Sequence, residues 1–264
     1  MSKPLPKKLR AKWDALIETE GKKLGLENCR PFLENKMVND IFYEGIFKGR
    51  PCVVKCSSKA PDSIRNEYEM LKRLWEVDKD VFPEPYLLHE GDFSFFVMEK
   101  IFSGNATCPS ADILRIAKAL DISGIVHRDV SMNNLIAGSD NHLKLIDFQF
   151  AIDRADYRES NFMQKHPTYL HVTFGYSHEL GLGKWNDILG QGLLHCLDIL
   201  DSSALEAKKE LSEMSEKMSF SIKVSAYTRC RLWLYEKSFM IRRLFHKKNS
   251  LAWRHKKVKA LLSS

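Results

Sequence analysis

Residues 124–148 read G-I-V-H-R-D-V-S-M-N-N-L-I-A-G-S-D-N-H-L-K-L-I-D-F, and this stretch decides the fold. Three short apolar runs, at 124–126, 135–137 and 143–146, are strand-sized. The polar groups between them are a carboxylate (Asp129), an amide (Asn134) and a second carboxylate (Asp147). A lone His-Arg-Asp is more often a solvated turn. Three oxygen-bearing groups following in order point instead to chemistry. A carboxylate can orient a hydroxyl, hard oxygen donors suit magnesium, and together they provide what phosphoryl transfer needs.

Working outward toward the N-terminus, I-F-Y-E-G-I-F-K-G-R-P-C-V-V-K (41–55) reads as two strands around a turn at Lys48-Gly49-Arg50. A helix is expected over 62–76, opened by Asp62 or Ser63 as N-cap. Its apolar positions Met70, Leu71 and Leu74 share a face with Glu67. A charge on an apolar face needs a partner. A second hairpin follows: Y-L-L-H, the turn Glu90-Gly91-Asp92, then F-S-F-F-V-M-E. Residues 7–24 read as a helix with Leu9, Trp13, Leu16 and Ile17 on one side. Past Ser103-Gly104 the pattern turns helical, first at 111–121 and again from about 185 to the end.

The chain has 264 residues, with 44% hydrophobic and 28% charged side chains, the mixture of a globular protein. Six cysteines form no C-x-x-C pair, so reduced thiols of a cytosolic protein are expected. The basic start M-S-K-P-L-P-K-K-L-R lacks the apolar core of a signal peptide. The most apolar run, Phe93 to Met98, is strand-sized and too short to cross a bilayer. A cytoplasmic location is therefore expected. The formal net charge of +7 is concentrated at residues 223–264, where 12 Lys and Arg meet one acidic residue, Glu236.

From about residue 33 to about 200 the chain resembles the protein-kinase-like superfamily. The resemblance implies an α+β, bilobal protein-kinase-like fold, with a small β-rich N-lobe carrying one helix and a larger helical C-lobe. It divides the chain into a basic helical extension (1–31), the N-lobe (32–103), the C-lobe (104–222) and a basic aromatic tail (223–264). It implies ATP and Mg2+ as cofactors, and a mechanism in which Asp129 orients the acceptor hydroxyl. Asn134 and Asp147 would hold the metal. Lys55 would contact the phosphates, with Glu67 as its helical partner. Phe42 would roof the base, Met98 would lie behind it, Ile136 would complete the nucleotide site, and the backbone of Glu99 and Ile101 would pair with the adenine edge. Asp187, with Gly192 five residues on, resembles the aspartate that braces the catalytic loop. T-F-G-Y-S-H-E (173–179) resembles the end of an activation segment, whose phosphate Arg128 could meet.

Three positions depart from the superfamily pattern. The stretch L-E-N-K-M-V-N-D-I (33–41) has no glycine, so a glycine-rich phosphate loop is absent. Gln149 stands where D-F-G has glycine. Ser131 stands where protein Ser/Thr kinases have lysine. The tail, 231–262, interleaves Trp, Phe and Leu with Lys and Arg, as an interfacial membrane helix does; a helix packing its aromatics inward would read the same way. No RNA-reading motif is present, so nucleic acid is not the expected partner. Size and tail together resemble bacterial kinases that phosphorylate lipopolysaccharide core sugars at the inner face of the cytoplasmic membrane. The expected acceptor is a hydroxyl of such a glycolipid sugar. A Ser/Thr protein kinase and a pseudokinase-type binding module are the alternatives.

Overall fold

The computed structural model describes residues 7–35, 40–57, 61–91, 93–155, 184–190, 192–221 and 230. The chain divides into two compact units, Met1–Ile222 and Lys223–Ser264. The T-F-G-Y-S-H-E segment, the centre of the glycine-free stretch (36–39) and the basic tail apart from Cys230 lie outside the described residues.

The first unit is mixed α+β. Five strands form one antiparallel sheet: β1 (Leu26–Asn35), β2 (Asp40–Phe47), β3 (Arg50–Ser57), β4 (Pro85–His89) and β5 (Ser94–Glu99), in the order β1-β2-β3-β5-β4. The β2–β3 turn is only Lys48-Gly49, with Arg50 already paired to Phe47. Both turn residues are left-handed, at φ 49° and 80°, as a two-residue hairpin with the twist of its strands requires. The chain start is a helix, α1 (Lys7–Leu16), continuing into a π-helical turn at Ile17–Gly21. β1 begins at Leu26, inside what the sequence suggested was a helical extension.

Strand periodicity sorts the side chains of the sheet onto two faces. Ile41, Tyr43, Cys52, Val54, Cys56, Phe95 and Val97 pack with Trp13 and Ile17 in one core, so α1 and its π-turn cover that face. The alternate positions face the other way. There Phe96 joins Ile64, Leu71 and Leu74 of α2 (Pro61–Val77). The helix starts at Pro61, so Asp62 and Ser63 lie in its first turn and do not cap it. Proline suits that turn because its missing N–H has no helical partner there.

The remainder of the unit is built around the second core. α3 (Pro109–Ser123) ends on Gly124, whose φ of 65° closes the helix in the left-handed C-cap that favours glycine. β6 (Ile125–Val126), a 3-10 turn (Met132–Asn134), β7 (Leu135–Ala137), β8 (Leu143–Leu145) and β9 (Ile152–Asp153) follow. β7 pairs with β8, and β6 with β9. Then come β10 (Lys184–Trp185), α4 (Leu193–Leu200), α5 (Leu205–Met218) and β11 (Phe220–Ser221). The stretch from 185 is therefore not purely helical: β10 and β11 pair across the two helices. Among the described residues there are five α-helices, and none is long and apolar enough to cross a membrane.

Ser103-Gly104, past which the sequence pattern turns helical, is pinned in place. Ser103 bridges Gly138, and the Gly104 N–H donates to the Ala137 carbonyl at 2.9 Å. A Cβ on Gly104 would lie 2.3 Å from the Gly138 carbonyl oxygen, so only glycine allows this approach.

Candidate active site

Lys55 comes from the middle sheet strand β3, Glu67 from α2, and Asp147 from the turn after β8. The Lys55 Nζ is 2.6 Å from Glu67 Oε2 and 2.8 Å from Asp147 Oδ1. Lys55 and Glu67 are 3% and 1% exposed, whereas Asp147 still reaches solvent, its side chain being 27% exposed. Burying this ammonium is tolerable because two carboxylates meet it. Phe42, opposite Lys55 in the β2–β3 register, places its ring 5.7 Å from the same ammonium.

Asp129 and Asn134 sit on one loop. Asn134 Nδ2 donates to the Asp129 carbonyl at 2.8 Å and to its Oδ2 at 3.2 Å. With its nitrogen turned to Asp129, the amide oxygen of Asn134 is left to hold a cation. The Ile146 N–H donates to the Asn134 carbonyl at 2.9 Å, tying this loop to the residue before Asp147.

Two features hold the loop in shape. Buried Asp187 accepts the main-chain N–H groups of His127 (2.6 Å) and Arg128 (2.8 Å). His127 Nδ1 accepts the Asp129 N–H at 3.2 Å, which leaves Nε2 to donate to the Ile146 carbonyl at 3.0 Å. Full burial pushes the His127 pKa down, so the imidazole is neutral and this tautomer is fixed. Gly192 packs on Asp187: a Cβ there would lie 2.1 Å from the Asp187 carbonyl oxygen. Arg128 and Asp147 are both left-handed, at φ 70° and 67°. Such strain in non-glycine residues persists only where neighbours enforce it.

The electrostatics single out Asp129. Burial first, and then the neighbouring Asp147 charge, raise its pKa to about 7, against a smaller downward pull from Asn134. The charge on Asp147 disfavours a second charge on Asp129. With the Asn134 oxygen beside them, the donor set is all hard oxygen, which fits Mg2+ shared with a substrate phosphate. No group of three or more His, Cys, Asp or Glu that could hold a metal alone occurs among the described residues.

The expected nucleotide residues are distributed as follows. Met98 lies on β5 opposite Val53 and packs against the second core. Ile136 lies on β7, opposite Lys144. Glu99 donates its N–H to the Glu84 carbonyl at 2.8 Å. Ile101 follows β5, partly buried. Gln149 is not left-handed, so glycine is not required at that position. Arg128 is buried with its guanidinium stacked on Trp185 at 4.4 Å; the segment whose phosphate it could meet lies outside the described residues. A cavity of about 550 Å³ lies elsewhere, lined by Asp14, Glu18 and Tyr43 on the α1 side of the sheet.

Sequence reading missed two contributions. Asn66 Nδ2 donates to the Ala151 carbonyl at 2.8 Å, and Arg73 pairs with Asp153 and donates to the Ser123 carbonyl. Both join α2, and hence Glu67, to the segment after Asp147. A polar helix face is the only sequence signal for them. Neither a protein-family model nor a curated protein matches the chain.

Proposed function

We propose that this protein is a Mg-ATP-dependent kinase of bilobal, protein-kinase-like fold that phosphorylates a hydroxyl, that of an envelope glycolipid sugar. One observation carries the reading: a buried lysine bridges a helix carboxylate and the carboxylate of Asp147, next to a braced loop that presents Asp129 and Asn134. In this reading Lys55, oriented by Glu67, holds the nucleotide phosphates. Phe42 and Ile136 enclose the base, with Met98 behind it and the Glu99 and Ile101 backbone at its edge. Asn134 and Asp147 hold magnesium, which neutralises charge on the phosphates. Asp129 accepts a hydrogen bond from the acceptor hydroxyl and aligns it for in-line attack. Its side chain must be ionised to do so.

Glycolipid as acceptor is supported by Ser131 in place of the protein-kinase lysine, by the short connection from Ser103 to α3 at Pro109, and by the basic aromatic tail. The Asp187–Gly192 brace favours a second reading, a Ser/Thr protein kinase. Purified protein is given ATP labelled at the γ-phosphate, with membrane glycolipid and protein extract offered in parallel. Label in the glycolipid is expected; label confined to protein bands supports the second reading. An Asp129→Ala variant that functions like wild type in cells would leave a non-catalytic binding module.

A further inference from the structure

Lys144 is 3% exposed, and the phosphoryl-transfer reading assigns it no task. It sits in the middle of β8, flanked by Leu143 and Leu145, which belong to the second core. Alternation turns Lys144 to the opposite face, where its register partner is Ile136. Its ammonium lies 3.0 Å from Asp140 Oδ2 and 3.5 Å from Glu99 Oε2. The Glu99 carboxylate is held from its other side by the Glu84 N–H, which donates to Oε2 at 3.1 Å.

The main-chain hydrogen bonds to the β7–β8 hairpin lie past β5, at residues 102–107, so Glu99 itself meets the hairpin through Lys144. Besides the Ser103–Gly138 bridge and the Gly104 contact, the Ser139 N–H donates to the Phe102 carbonyl at 2.8 Å and the Thr107 N–H to Asn141 at 2.9 Å. An ammonium removed from water is costly wherever a methionine would pack as well. Its retention here is explained by its position. It stands beside Ile136 and grips Glu99, two residues that the kinase reading places around the base. The same β8 strand leads directly into Asp147.

We propose that Lys144 is a positioning residue of the nucleotide site: by pairing with Glu99 it fixes the backbone that meets the adenine edge relative to the hairpin carrying the metal ligands. This rests on the kinase reading. Lys144 then acts on nucleotide affinity and not on the transfer step. With the pair broken, Glu99 keeps only the Glu84 N–H, and the edge that meets the base gains freedom that binding must remove.

The test is ATP binding by calorimetry together with KM and kcat for ATP, on the full chain. Lys144→Met should raise Kd and KM for ATP about tenfold, the size of one charge-assisted contact, with kcat within about twofold. Lys144→Arg, which keeps the charge, should recover most of the affinity. Glu99→Gln should show the same rise, and the double variant Lys144→Met/Glu99→Gln should show no further rise, because both remove one interaction. Glu99 is partly exposed, so that variant folds even if Lys144→Met does not. If wild type binds ATP and both single variants bind it equally well, the inference fails and the kinase reading stands. A lowered melting temperature with unchanged KM would likewise overturn it, showing a purely structural lysine. If wild type binds no ATP, both fall.

Discussion

Asp129 is the residue on which charge, burial and function meet. With its pKa raised to about 7 by burial and by Asp147, only part of the population is ionised at neutral pH. The acid limb of kcat/KM, which reports the free protein, should therefore lie near pH 7. The limb in kcat should lie lower, because a bound cation favours the carboxylate. The same shift makes a stability prediction. A carboxyl whose folded pKa lies above its unfolded value stabilises the fold below the unfolded pKa, and that contribution is lost as pH rises through 7. Asp129→Asn, which cannot ionise, should be more stable than wild type at pH 8 by on the order of 2 kcal/mol. Near pH 4 the gain should vanish. Urea unfolding at the two pH values measures this directly. Lys55 is the complementary case: Lys55→Met leaves Glu67 buried without its cation and should cost about 3–5 kcal/mol, along with ATP binding. The Lys55–Glu67 pair was legible through the family resemblance, with independent support from a carboxylate on an apolar helix face, which demands a partner. Lys144 was not: a lysine within a strand reads as solvated until Glu99, 45 positions away in sequence, is placed beside it.

At the scale of elements, the loop carrying Asp129 and Asn134 is braced by one carboxylate, Asp187, and one glycine, Gly192. Asp187→Ala would leave the His127 and Arg128 N–H groups buried without acceptors, each costing about 1–3 kcal/mol. Gly192→Ala would force a methyl group onto the Asp187 carbonyl, within 2.1 Å. Both variants should lower the thermal midpoint by several degrees and, on the proposed function, lower kcat while changing ATP affinity less, since the loop carries Asp129 whereas Lys55, the residue proposed to meet the phosphates, lies on β3. Hairpins and α2 were readable from apolar alternation and helical spacing. β1 was not, for a physical reason: its sequence L-E-N-C-R-P-F-L-E-N carries a proline, and its register slips between Glu27 and Arg30 and again between Pro31 and Leu33. Bulges destroy the alternation by which a strand is recognised. β6 and β9, at two residues each, are too short to have a period at all.

For the whole molecule, the N-terminal helix is part of the fold and no appendage, because Trp13 and Ile17 fill the core on one face of the sheet. Trp13→Ala should destabilise the protein by about 3–5 kcal/mol, measured by denaturant unfolding. On the proposed function the basic segment 223–264 would dock at an anionic leaflet, with each Lys or Arg near the surface contributing on the order of 1 kcal/mol. Vesicles containing anionic lipid should carry the protein in flotation at low salt and release it at high salt; no binding under either condition would end the membrane reading. The side chains that meet, Lys55 with Glu67 and Asp147 and Asn134 with Asp129, were legible because they follow one another in recognisable local contexts. An acceptor pocket has no such linear signature. The central claim is tested most directly by following labelled γ-phosphate from ATP in the presence of membrane glycolipid, with wild type and Asp129→Ala side by side. The account predicts label in the glycolipid with wild type and a loss of at least about a hundredfold in the variant. Equal labelling by the two proteins, or none in any acceptor with wild type, would contradict it.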